Sequence, residues 1–130
     1  MGEVRGGEGM IHVVTDVDDQ RVQDLLCCAL EGGSNYWYVI TAYNYPEGHT
    51  RGDFEFPHLE LPFRGGSLSI ADREDGEHLG VLDREACERG LQVMAEKYPQ
   101  HYADFISENE DADTGDVFLQ CALLGEIVYG

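Results

Sequence analysis

Between Asp19 and Glu31 the apolar side chains fall at Val22, Leu25, Leu26, Ala29 and Leu30. Steps of three and four put them on one face of a helix. The pattern stops at Gly32-Gly33, and the aromatic, β-branched run Tyr36–Tyr43 follows at once. A one-faced helix has to bury that face against another element, and the next element in the chain reads as a strand. Helix and strand in direct succession point to a mixed fold rather than a helical bundle or a sandwich. Asp18 stands at the N-cap position, and the glycines read as the terminator, because glycine takes the left-handed conformation beyond a helix without strain. Within Tyr36–Tyr43, Tyr36, Tyr38 and Ile40 share one face, and Trp37, Val39 and Thr41 the other. Large apolar groups on both sides predict a central strand covered on both faces.

The same reading extends along the chain. Residues 1–9 hold four glycines and no hydrophobic period and read as a flexible segment. Met10–Val17 reads as the first strand. Asn44–Pro57, with its prolines and glycines, reads as a long loop. The alternating segments His58–Phe63 and Ser67–Asp72 flank Arg64-Gly65-Gly66 and predict a hairpin; Asp75-Gly76 is the next turn signal. Asp83 caps a helix that Pro99 ends, with Ala86, Leu91, Met94, Ala95 and Tyr98 facing inward. Gln100–Ser107 continues as a short helix presenting Tyr102, Phe105 and Ile106. Asp113-Thr114-Gly115-Asp116 resembles a cap for a helix over Thr114–Leu124 that stops at Gly125, and Glu126–Gly130 reads as a last short strand. The fold class is therefore α+β: one small domain over residues 10–130, with a mainly antiparallel sheet of about four or five strands covered by about three helices.

Charge bears on partners rather than fold. The 130 residues carry 26 Asp and Glu against 8 Lys and Arg, a formal net charge of −18. Such a field repels nucleic acid and anionic membrane and attracts basic surfaces. The acidic residues concentrate in Asp16–Asp19, Asp72–Glu77 and Glu108–Asp116. No signal peptide is visible and no apolar run is long enough to span a membrane, so the expected location is the cytoplasm. Cys27, Cys28, Cys87 and Cys121 lack CxxC spacing, sit in apolar segments and read as buried, reduced thiols.

Motifs for chemistry are sparse. Asn109, Asp111 and Asp113 have the alternate spacing of EF-hand ligands. Thr114 stands where that loop needs glycine, however, and Gln120 where it needs glutamate, so no metal is assigned. The five histidines have no ligand spacing. Gly32-Gly33-Ser34-Asn35 follows a helix and precedes a strand, the reverse of a phosphate cradle. No grouping supplies a nucleophile, base and oxyanion donor, so no catalytic residue and no cofactor is assigned. A ligand pocket has one candidate set, Asn35, Tyr36, Trp37 and Tyr38 with Arg51 and Arg64, because flat rings, amides and a local cation hold a nucleotide-like molecule. Gln120, in an apolar helical run, has to be hydrogen-bonded if buried, with Asn35 or the strand backbone as partners.

The segments LLCCALEGGSNYWY (Leu25–Tyr38) and LQVMAEKYPQHYADFISENEDADTGDVFLQCALLGEIVYG (Leu91–Gly130) together resemble a family of short uncharacterised proteins found in phage, prophage and plasmid genomes. The resemblance transfers no activity. It implies a mobile-element setting, the host cytoplasm if the gene is phage-borne, and the class of small acidic proteins that inhibit host defence. Charge and resemblance lead to one expectation: a non-catalytic interaction protein meeting a basic, nucleic-acid-binding or defence protein through Asp72, Glu74, Asp75, Glu77, Glu108, Glu110, Asp111 and Asp113. The alternative is a protein sequestering a nucleotide-like signal at the Asn35–Tyr38 strand.

Overall fold

The computed structural model describes residues 2–7 and 9–130, with side chains from Val13 onward. The fold is α+β, but its strands do not form one sheet. Strands β1 (Gly2–Gly7) and β2 (Met10–Thr15) pair antiparallel as a separate hairpin, turning at Gly9, whose φ of 73° suits glycine. A three-stranded antiparallel sheet holds β3 (Tyr38–Asn44), β4 (Ser67–Asp72) and β5 (His78–Leu82) in that order. The expected single sheet of about four or five strands is thus divided. Of the opening segment read as flexible, Gly2–Gly7 runs as a strand, and Met1 and Glu8 lie outside the described residues.

The main difference lies at residues 57–63. Alternating Leu59, Leu61 and Phe63 mimic a strand, yet Pro57–Glu60 is a helical turn (α2) and Leu61–Phe63 a tighter 3-10 turn. Pro57 and Pro62 decide it: each lies in the first turn of its helix, where a fixed φ and a missing N–H cost nothing. Leu59 and Leu61 still reach the core. β4 therefore takes β3 on one side and β5 on the other, and the true hairpin turns through Arg73–Glu77. β3 is accordingly an edge strand rather than a central one, with a bulge between Ile40 and Ala42.

The helices are α1 (Asp19–Cys28), α3 (Arg84–Lys97), α4 (Pro99–Ile106) and α5 (Ala112–Leu124). Helix α5 is the hub: Phe118, Leu119, Gln120, Cys121 and Ala122 are buried, and it packs on α1, on α3 and on the turn after α1. Asp83 caps α3 as expected, its Oδ1 accepting from the Ala86 N–H at 2.9 Å. At α1 the cap differs: the Asp18 side chain makes no capping bond, and its backbone carbonyl alone takes the first N–H groups. The cap of α5 sits two residues before the expected one, at Asp111, whose Oδ1 accepts from the Thr114 N–H at 3.0 Å. Gly125 ends α5 in the left-handed conformation, φ 79°. Of the residues that the short helix over 100–107 presents, Phe105 is fully buried and Ile106 is exposed.

The Gly32-Gly33 stop has a different cause from the expected one. Neither glycine has a positive φ; the chain leaves α1 through a π-helical turn, Ala29–Gly33. A Cβ on Gly33 would run into the backbone of Ala112, so glycine is required there by the approach of α5. Residues 126–130 form no strand.

Candidate functional site

The stretch Ser34–Tyr38 is tied to α5 by one carboxylate. Asp116 Oδ1 accepts from the Ser34 hydroxyl at 2.8 Å and from the Trp37 indole N–H at 2.7 Å. Its Oδ2 accepts from the Tyr36 hydroxyl at 2.7 Å. Gln120, one helical turn along α5, donates to the same Oδ1 at 3.3 Å. Ser34 and Gln120 are both buried, so these bonds replace water that neither group can reach.

Gln120 then holds the tail. Its Oε1 accepts from the Val128 and Tyr129 N–H groups at 2.7 and 2.8 Å, and its amide donates to the Tyr129 carbonyl at 3.2 Å. A side chain here does the work of a neighbouring strand, which explains why a segment with strand-like composition is ordered without pairing. The buried glutamine is hydrogen-bonded as the sequence requires, though to the tail and Asp116 rather than to Asn35. The Tyr129 ring stacks on Trp37, centroids 4.8 Å apart and planes 9° apart, and its hydroxyl donates to Asp72 Oδ2 at 2.6 Å.

Trp37 is 2% exposed, and the ring that covers it belongs to the chain itself. The six candidate ligand residues fall in two sets, Asn35–Tyr38 and the Arg51–Arg64 pair at Phe54, and no hydrogen bond or ion pair among the described residues links the two. Asn35 and Tyr36 are exposed, while Tyr38 is buried with its hydroxyl on the Leu30 carbonyl. Arg51 bonds the Phe54 carbonyl; Arg64 pairs with Glu60 at 2.8 Å and lies over the Phe54 ring. Two concavities among the described residues lie elsewhere. One runs from Val13–Val17 to Cys87, Leu91 and Tyr102, and the other is bounded by Asp18, Arg21 and Phe105.

The acidic candidates fall in two groups with distinct settings. On the β4–β5 turn, Asp72 Oδ1 accepts from the Glu74 and Asp75 N–H groups, and Asp75 accepts from the Glu77 N–H. These bonds fix the turn and leave the carboxylates of Glu74 and Glu77 facing water. At the α4–α5 junction, Glu108 in the loop and Asp113 in the first turn of α5 are exposed, and Asp111 is occupied as a cap. Glu110 belongs less to that surface: it is partly buried and paired with Arg21 at 2.8 Å. The sequence missed Asp116 and Tyr129 as organising residues; an acidic residue one turn before a buried glutamine was the available signal.

Three tyrosines have their proton held unusually tightly. Burial, then the neighbouring Asp116 and Asp113, push Tyr36 up to about 12; burial, then Tyr43, does the same for Tyr38. The hydrogen bond to Asp72, then burial and the charges of Asp72, Asp75 and Glu77, push Tyr129 up to about 12. An unfolded tyrosine ionises near pH 10. Between these values the folded chain binds more protons than the unfolded one, so this contribution to stability is complete below pH 10 and is lost as pH rises towards 12. A phenolate absorbance titration should show tyrosine ionisation extending to about pH 12, and melting temperature should drop across that window. A single class ionising at the ordinary value would contradict it.

Burial raises the thiols of Cys87, to about 12, and Cys121, to about 11, which disfavours the reactive thiolate at neutral pH. No described helix is long and apolar enough to cross a membrane. A scan of protein-family models and searches of curated proteins and of solved structures return no match.

Proposed function

We propose that the chain is a non-catalytic interaction protein of phage or mobile-element type, acting in the host cytoplasm, that inhibits a defence or nucleic-acid-binding protein by meeting its basic surface with carboxylates. The observation that carries the reading is the state of its exposed acids. Ion pairs among the described residues engage Asp19, Glu31, Asp53, Glu60 and Glu110; Glu74, Asp75, Glu77, Glu108 and Asp113 enter none. With −18 on the whole chain, these carboxylates project a field that a cationic partner relieves. The β4–β5 turn that carries three of them is held by bonds from its own N–H groups to the Asp72 and Asp75 carboxylates, so little order is lost on binding. A nucleotide-like ligand near Asn35–Tyr38 would first have to displace Tyr129 from Trp37.

Affinity for an oligo-arginine peptide, measured by calorimetry across a salt series, tests the reading. Binding should weaken steeply between low and physiological salt, since exposed charges are screened within about 8–10 Å. Replacing Glu74, Asp75 and Glu77 together by Gln or Asn should flatten the slope. A salt-independent affinity would overturn it.

A further inference from the structure

The tail brings exposed apolar side chains near members of both acidic groups. The tail begins at Gly125 near the end of α3, where the Ile127 N–H donates to the Tyr98 hydroxyl at 2.9 Å. It passes Gln120 and ends beside Tyr36: a Cβ on Gly130 would lie 3.4 Å from the Tyr36 hydroxyl. Tyr36 is 51% exposed, Ile127 41% and Val128 61%. On one side the Tyr129 hydroxyl is bonded to Asp72, with Asp75 and Glu77 close enough to act on its proton. On the other the Tyr36 hydroxyl is bonded to Asp116, with Asp113 similarly close. The Trp37–Tyr129 stack joins the two sides, since Trp37 also bonds Asp116.

Resting on the acidic-interaction reading above, we propose that Tyr36, Ile127 and Val128 form the centre of the partner site, and that its occupant is one amphipathic protein segment with Arg or Lys on both sides of an apolar stripe. An apolar centre with a charged rim is the usual anatomy of a protein interface. The backbone of the patch is already fixed by Gln120, which lowers the ordering cost of binding. A second copy is a poor occupant, because two chains of −18 repel and three side chains fall well short of the roughly 800 Å² per partner of a stable interface. Arg73, whose backbone N–H bonds the Trp37 carbonyl, and Lys97, on the Gly125 carbonyl, are basic residues close to the tail.

Two synthetic helical peptides of equal arginine content test it, one carrying leucines along a single face and the other serines in their place. The leucine peptide should bind about tenfold more tightly or better, the ratio that burying a single aliphatic side chain gives. Val128→Ser and Tyr36→Ala should each remove most of that preference while leaving the salt-sensitive binding of the serine peptide. Val128→Ser should leave the melting temperature unchanged, which separates docking from folding. Equal affinity for both peptides, or a preference indifferent to Val128→Ser, would overturn the apolar centre and leave the acidic reading standing. Failure of both peptides to bind at low salt would overturn the two together. A dimer in sedimentation equilibrium that Val128→Ser abolishes would assign the patch to self-association instead.

Discussion

Asp116→Ala is expected to cost about 2–4 kcal/mol of unfolding free energy. The estimate follows from what the substitution strands: hydrogen bonds to a carboxylate contribute roughly 1.5–3 kcal/mol, and a buried donor left unpaired costs roughly 1–3 kcal/mol. Asp116 serves the Ser34 hydroxyl, the Trp37 indole and the Gln120 amide through Oδ1, and the Tyr36 hydroxyl through Oδ2. Ser34, Trp37 and Gln120 are buried, so water cannot replace it without opening the structure. Asp116→Asn keeps one carbonyl oxygen for Ser34 and Trp37, and the Tyr36 hydroxyl can rotate to accept from the new amide, so its cost should be near 1 kcal/mol. Urea unfolding followed by the fluorescence of Trp37, the sole tryptophan, reads both variants. An alanine variant within about 0.5 kcal/mol of the parent, the range of ordinary surface changes, would show that the network does not anchor the stretch.

That network also marks where sequence reasoning reaches its limit. The helix over 19–31 is legible because Val22, Leu25, Leu26, Ala29 and Leu30 repeat its own period, and all five are buried. Asp83 and Gly125 are legible as helix ends because capping is a local interaction. Leu59, Leu61 and Phe63 mislead because alternation fits both a strand and a short helix pinned by prolines; the prolines at 57 and 62 were the better signal. The site depends on distant pairs. Asp116 stands about 80 positions from Tyr36, and Tyr129 57 positions from Asp72, and no local period encodes either meeting. The aromatic composition of Tyr36–Tyr38 pointed to packing and left a ligand platform as the alternative, and only the fold reveals that Tyr129 lies on Trp37.

Gly115→Ala is expected to be strongly destabilising for so small a change, costing about 3 kcal/mol or more. In a helix interior alanine is ordinarily preferred to glycine by about 1 kcal/mol, so propensity alone predicts the opposite sign. Packing decides. A Cβ at Gly115 would lie 2.6 Å from the Ala29 backbone nitrogen and 2.8 Å from the Cys28 carbonyl carbon and Cβ. Two of those atoms are backbone and none is the free end of a flexible side chain, so α5 and the end of α1 would have to separate. Overpacking a rigid contact typically costs about 1–3 kcal/mol, and here separation would also pull Asp116 away from Ser34 and Trp37. Gly32→Ala supplies the control: nothing lies within 4 Å of its Cβ and its φ is not positive, so stability should hold or rise by about 0.4–1 kcal/mol. Thermal melts of the two variants should move apart by several degrees, with Gly115→Ala below the parent. Equal melting temperatures would mean that α5 does not rest on α1 through that glycine, and the close approach on which the Asp116 network depends would be wrong.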